Sequence, residues 1–242
     1  MILNRVSNIS VVIPARNEAE NIKRLVPGLK DALGKDLHEV IVVNAESTDD
    51  TKEVCKDLSR RYSFFHMVNG RSGVGNCLRD GYKSATGDWI LSIDCDFLRN
   101  MAHFPLLVKK AREGYDMVIG SRYIPGGQLI GYPKFKKVAN RAFHSVVRPV
   151  LGIPVQDLTN NFKLMKSEIA KRIPSIEPHF AVNAETGIYP SMLGYKVGEV
   201  PVPWFQRDFG SSKFDLMRLA TSYSRVLLRA LWLKLSGKIK RT

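Results

Sequence analysis

No apolar run in this chain approaches the roughly 18 residues that a membrane-crossing helix needs. The first apolar stretch, Ile9 to Pro14, is also too short for the core of a secretory signal. Together these absences predict a cytoplasmic protein. Cysteine is scarce, and Cys55, Cys77 and Cys95 are scattered without metal-ligand spacing, which predicts free thiols and excludes a disulfide framework. His38, His66, His103, His144 and His179 likewise form no ligand pattern and are read as structural. Internal repeats and low-complexity linkers are missing too. Negative charge is the sign in short supply: 23 acidic residues against 37 basic ones leave a net charge of +14. That excess predicts an anionic partner, which means nucleic acid, an acidic lipid surface or a phosphorylated substrate. Nucleic acid is disfavoured. No recognition module or aromatic–basic interleaving is present, and the positive charge gathers in the second half and the tail.

What is present reads as strand–helix alternation. The 242 residues suffice for one large α/β domain. Ile9–Ile13, Val40–Val43, Phe64–Val68 and Trp89–Ile93 are short apolar runs of buried-strand character, and helices are predicted at about 18–33, 51–62, 75–83, 104–113 and 134–148. Asn17 is the expected N-cap of the first helix and Gly34 its stop. Further strands are expected at Asp116–Gly120 and at Val197–Val202, the latter at a sheet edge because of Pro201 and Pro203. Such alternation implies a mostly parallel, Rossmann-like sheet with helices on both faces. Every strand end then carries a polar or glycine-rich loop, the layout of a nucleotide-binding half. Gly70–Gly75 has the wrong spacing for a dinucleotide fingerprint and does not open the first βα unit.

Just past Trp89–Ile93 stand Asp94 and Asp96, one residue apart. Two carboxylates at a strand end offer hard oxygen ligands to Mg²⁺ or Mn²⁺, which can bridge nucleotide phosphates; an Asp-rich surface turn has the same appearance. The wider pattern resembles the family 2 inverting glycosyltransferases, in particular the dolichol-phosphate mannosyltransferase and polyprenyl-phosphate glycosyltransferase group. The resemblance runs through Val11–Glu18, Ser47–Asp49, Ala85–Asp96, Gly120–Tyr123, Asp157–Thr159 with Phe162–Lys163, Glu185, Glu199–Val202 and Arg207–Lys213, in that order. It implies a glycosyltransferase-A fold over residues 1–213, followed by a basic amphipathic helix and tail over 214–242. It also implies transfer, with inversion, of a hexose such as mannose or glucose from a GDP- or UDP-linked donor to a polyprenyl or dolichyl phosphate. By family position Asp94 and Asp96 take the donor and the divalent cation. Pro14, Arg16, Glu18 and Asn44 frame the base and ribose, and Arg122, Arg141 and Ser145 hold the acceptor phosphate. Arg207 and Lys213 close a basic loop over the diphosphate. Asp96, Arg122 and Arg207 are the expected catalytic set.

Three departures from the family pattern stand out. Asn44 and Ala45 replace a pair of aspartates, Leu98 replaces a glutamine, and Asn160–Asn161 replace Ser-Gly. They leave room for a non-catalytic nucleotide-sugar-binding homologue. A transferase acting on a hydroxyl acceptor is the nearer rival; it would need a carboxylate base, for which Glu185 is the candidate. On a helical wheel of about 100° per residue, Arg218, Arg225 and Arg229 form one stripe of the last helix, opposite Leu216, Leu219, Tyr223, Val226, Leu227, Leu231 and Leu233. With Trp232, Lys234, Lys238, Lys240 and Arg241, this predicts a helix in the interface of an anionic membrane or against a small membrane-bound partner. An enzyme peripheral on the cytoplasmic face follows from that reading.

Overall fold

A computed structural model describes residues 5–206 and 216–239, with side chains of the last segment described from residue 220. Arg207, Lys213 and the side chain of Arg218 therefore lie outside the described residues, as do Lys240 and Arg241. The first half alternates as expected: β1 (Ile9–Ala15), α1 (Ala19–Leu33), β2 (Leu37–Asn44), α2 (Thr51–Arg61), β3 (Phe65–Asn69), α3 (Val74–Ser84) and β4 (Trp89–Ser92). There follow α4 (Phe104–Arg112), β5 (Met117–Ser121), β6 (Gln128–Ile130), α5 (Lys134–Leu151), β7 (Lys163–Lys166) and α6 (Ser167–Arg172). The chain continues through α7 (Val182–Met192), β8 (Val197–Pro201), β9 (Pro203–Phe205) and α8 (Leu216–Leu235).

Seven strands form one sheet in the order β3-β2-β1-β4-β7-β5-β8, and β6 pairs with β9 in a second, two-stranded sheet. The large sheet is parallel except for β7, which lies antiparallel between β4 and β5. β8 takes the predicted edge. Alternate residues of each central strand serve opposite faces. Val11, Ile13, Val40, Val42 and Leu91 pack under α1, α2 and α4, while Val12, Ile41, Val43, Ile90 and Ile119 pack under α3, α5 and α7. Both faces are thus covered, which is why β1, β2 and β4 read as continuous apolar runs.

Local chemistry corrects one expectation and explains a discounted motif. Asn17 does not cap α1. Its backbone is left-handed (φ 59°), Glu18 takes the cap position, and the Asn17 side chain turns to the β2–α2 loop. The Gly70–Gly75 segment serves packing: a Cβ on Gly75 would fall on the Glu177 carbonyl, and Gly75 N–H donates to Pro178 O at 2.9 Å. All three cysteines are buried and free, and burial pushes the Cys77 thiol up to about 11.

α8 is not a detached helix. Val226, Ala230 and Leu233 are buried in the core shared with α5 and α7. At roughly 1.5–3 kcal/mol for a fully buried Val or Leu, that contact alone anchors the helix. Its basic stripe is divided. Arg229 is half-buried, and its Nη1 donates to Glu185 Oε1 at 3.2 Å and to Pro174 O at 2.7 Å, whereas Arg225 stays exposed with Nε 3.4 Å from Glu177 Oε1. Leu228 (66% exposed), Trp232 (52%) and Leu235 (79%) face outward as well. Among the described residues, no helix is long and apolar enough to cross a membrane.

Candidate active site

Parallel strands β1, β2, β4 and β5 deliver their C-terminal ends to one edge of the sheet, and the loops there carry most of the predicted site residues. The β1 and β2 loops are stitched together. Asn17 N–H donates to Ser47 Oγ at 3.0 Å, Thr48 N–H to Asn17 Oδ1 at 2.8 Å, and Glu18 N–H to Thr51 Oγ1 at 2.9 Å. Asp49 takes bonds from the Thr51 side chain and N–H. Burial opposes its ionisation, but these bonds outweigh it and hold the carboxyl below its ordinary range. Pro14 and Glu18 are half-buried and Arg16 is exposed at this rim. Asn44 is different. It is 5% exposed, and its Oδ1 accepts from Ser47 Oγ at 2.6 Å and Ser47 N–H at 3.3 Å, so that atom terminates the turn.

At the end of β4, Asp94 and Asp96 are half-buried side chains flanking the buried Cys95, whose Sγ–H points to Pro14 O at 3.4 Å. Asp94 Oδ1 accepts from Asn161 Nδ2 at 2.9 Å. The described residues contain no group of three or more His, Cys, Asp or Glu side chains able to hold a metal by themselves. Two carboxylates with no soft ligand suit Mg²⁺ or Mn²⁺, ions that complete their shell with water and substrate phosphate oxygens. The donor set fits such an ion.

At the end of β5, Arg122 enters a buried ion pair with Asp157. Nε donates to Oδ2 at 2.7 Å, Nη2 to Oδ1 at 2.8 Å, and Arg122 N–H to Oδ2 at 3.0 Å. Nη2 also reaches Thr159 Oγ1 at 2.9 Å. Burial disfavours both charges, but each partner overrides it: Asp157 holds the guanidinium protonated, and Arg122 holds the Asp157 carboxyl down to about 2. The guanidinium groups of Arg122 and Arg141 lie 5.3 Å and 5.1 Å from the Tyr123 ring centre, so α5 brings Arg141 beside the β5 end. Ser145, one turn on, is exposed and donates to Arg141 O at 2.8 Å. His144, on the same helix, donates from Nδ1 to Asn140 O (2.7 Å) and accepts from Leu158 N–H at Nε2 (3.0 Å). Burial, first of all, depresses its pKa to about 4, so the ring is neutral.

Segment 157–161 joins these two strand ends. Asp157 and Thr159 hold Arg122, Asn160 Nδ2 donates to Gly120 O at 2.6 Å, and Asn161 holds Asp94. Glu199 of β8 anchors its start, accepting from Gln156 N–H at 2.8 Å and Asp157 N–H at 2.9 Å. This bracing role went unrecognised in the sequence, where Asn160 and Asn161 figured only as departures. Glu185 lies elsewhere: it is fully buried, accepts from Ile176 N–H (3.0 Å) and Glu177 N–H (2.9 Å), and pairs with Arg229.

The family model described as glycosyl transferase family 2 matches residues 10–174. The chain belongs to this family. Among curated relatives, glycosyltransferase AglD of Haloferax volcanii is 31% identical over 93% of this family 2 chain and 37% of its own length. The dolichol-phosphate mannosyltransferase of Pyrococcus furiosus is 28% identical over 96% of the chain and 66% of its own length. The chain thus spans about a third to two-thirds of these relatives. Among solved structures, a glucosyl-3-phosphoglycerate synthase from Mycobacterium tuberculosis, in complex with Mn²⁺, UDP and phosphoglyceric acid, superposes with a TM-score of 0.71. It is 21% identical and the match covers 93% of this chain and 78% of that one. The glycosyltransferase-A fold implied by the sequence resemblance is the fold of this family 2 chain.

Proposed function

We propose that this protein transfers a hexose from a nucleotide-diphosphate sugar to a polyprenyl phosphate with inversion at the anomeric carbon. The observation that carries the reading is the pairing of two strand ends by one buried segment: the Asp94–Asp96 carboxylates on one side, and the Arg122–Tyr123–Arg141 cluster on the other. Asp94 and Asp96 would hold the divalent ion, which when bound supplies charge stabilisation to the departing diphosphate. Arg141 and Ser145 hold the acceptor phosphate, whose oxygen attacks the anomeric carbon as the bond to the diphosphate breaks. Arg122, locked to Asp157, acts by fixing the Tyr123 platform and the β5 end. Arg207 and Lys213, from their motif, close over the diphosphate. A phosphate monoester is already anionic near neutral pH, so no general base is required. The burial of Glu185 supports this acceptor over a hydroxyl, because the candidate base accepts backbone N–H groups instead. The mannosyltransferase relative and the Mn²⁺- and UDP-bound fold neighbour support the substrate class and the ion.

The acceptor lies in a bilayer, and the outward residues of two neighbouring helices suit one. Val138, Val146 and Val150 of α5 and Leu228, Trp232 and Leu235 of α8 are exposed, with Lys134, Lys137, Arg141, Lys234 and Lys238 around them. These helices rest peripherally on an anionic membrane. Incubation with a panel of labelled UDP- and GDP-hexoses, Mn²⁺ and a lipid extract should move label into the lipid phase. Chelation or Asp96→Asn should abolish the transfer with the fold intact. Undiminished transfer by Asp96→Asn would refute the role of the carboxylate pair, and donor binding without transfer to any acceptor would favour a non-catalytic homologue.

A further inference from the structure

Beside Asp94 runs a buried chain of hydrogen bonds that the family pattern does not anticipate. The Tyr82 hydroxyl donates to Ser92 Oγ at 3.2 Å, Ser92 Oγ donates to Asn161 Oδ1 at 2.7 Å, and Asn161 Nδ2 donates to Asp94 Oδ1 at 2.9 Å. Tyr82, Ser92 and Asn161 are all buried. The direction of every bond follows from the carboxylate. An ionised Asp94 only accepts, so the amide nitrogen must face it; Oδ1 then takes the Ser92 proton, and the Ser92 oxygen is left to accept from Tyr82. Burial, the largest influence, pushes the Tyr82 hydroxyl up to about 12, so it keeps its proton.

The β4 ladder ends at Ser92. Beyond it, Ile93 N–H reaches Val12 O and Phe97 N–H turns back to Asp94 O, neither of which aims the Asp94 carboxylate. We propose that Asn161, oriented by Ser92 and Tyr82, is a positioning residue that presents Asp94 to the divalent ion. The inference rests on the reading of Asp94 and Asp96 as the ion-holding pair. It also gives one family departure a purpose, since the glycine that stands at position 161 in the family pattern has no side chain to make either bond.

The test is Mn²⁺ affinity, read by the electron paramagnetic resonance signal of the whole chain in separate series with UDP and with GDP. Asn161→Leu should weaken Mn²⁺ by about 10–100-fold, the usual scale for losing a partner that orients a metal ligand. Tyr82→Phe, which removes one hydroxyl and no volume, should weaken it several-fold with little change in the thermal midpoint; it carries the test if Asn161→Leu does not fold. Ser10→Ala is the control. It breaks a buried network with Glu39 and Gly87 N–H at the opposite end of β1, so it should lower the midpoint and leave Mn²⁺ affinity unchanged. Wild-type affinity in Asn161→Leu and Tyr82→Phe would overturn the inference alone, as would equal weakening in Ser10→Ala. Failure of the wild type to bind Mn²⁺ with either nucleotide would overturn the carboxylate-pair reading and this inference with it.

Discussion

Replacing Arg122 with methionine keeps most of the side-chain volume and removes the guanidinium, leaving the Asp157 carboxylate fully buried without its cation. The remaining donors to it are the backbone N–H groups of Arg122, Thr159 and Asn160 and, at 3.5 Å, the Thr159 hydroxyl. Breaking a buried pair by deleting one partner costs about 3–5 kcal/mol. For a domain of this size, each kcal/mol moves the midpoint by about 2–4 °C. The midpoint at pH 7 should therefore fall by roughly 6–20 °C. Unpaired, Asp157 has its pKa raised by burial, so the loss should shrink as the pH falls and the carboxyl becomes neutral. Arg122→Met/Asp157→Asn removes the lone charge and keeps an acceptor for the backbone donors. It should be more stable at pH 7 than Arg122→Met alone. Urea denaturation of the three proteins, with thermal midpoints alongside, measures all of this. A loss below about 1 kcal/mol in Arg122→Met, or a double variant as unstable as the sum of its parts, would refute the account of Arg122 as a brace.

His144 predicts an acid-dependent term. Its folded pKa of about 4 lies below the unfolded value of 6.5, so the unfolded chain takes up the proton first as pH falls. The stability of the wild type over His144→Ala should thus be fully present above pH 6.5 and shrink by about 3 kcal/mol by pH 4; a difference that stays constant with pH would contradict it. At the membrane face, Trp232→Glu/Leu235→Glu should abolish salt-sensitive sedimentation with anionic liposomes without destabilising the fold, since both side chains are exposed. Unchanged liposome binding would remove α8 from that face. Arg141→Ala should raise the KM for polyprenyl phosphate far more than that for the donor, and equal effects on both would count against its assignment to the acceptor.

Strand ends were the most legible part of the sequence. Parallel strands buried on both faces are nearly all apolar, so β1, β2 and β4 announced themselves and located Pro14–Glu18, Asn44–Asp50 and Asp94–Asp96 at one edge. β7 was hidden by Lys163. This fully buried lysine donates to Leu158 O, Asn183 O and Thr186 Oγ1, and with Lys166 it leaves only Leu164 and Met165 apolar in a four-residue strand. α7 was hidden for the opposite reason: Val182–Pro190 is buried all round and shows no amphipathic period. The helical wheel puts Arg225 and Arg229 on one stripe because periodicity records side chains, not their partners. The buried Glu185 carboxylate draws Arg229 inward, while Arg225 remains exposed beside Glu177. Asn161 shows the same limit, because its function depends on Asp94 and Ser92, 67 and 69 residues away in the chain.

The central claim is that the acceptor is a phosphate and needs no protein base. The most direct measurement pairs one active donor with two matched acceptors, a short-chain polyprenyl phosphate and the polyprenol lacking only the phosphate, and follows the anomeric configuration of the product by NMR. The account predicts an inverted glycosyl phosphate from the first and no product from the second. Transfer to the polyprenol at a comparable rate, or retention of configuration with the phosphate, would contradict it.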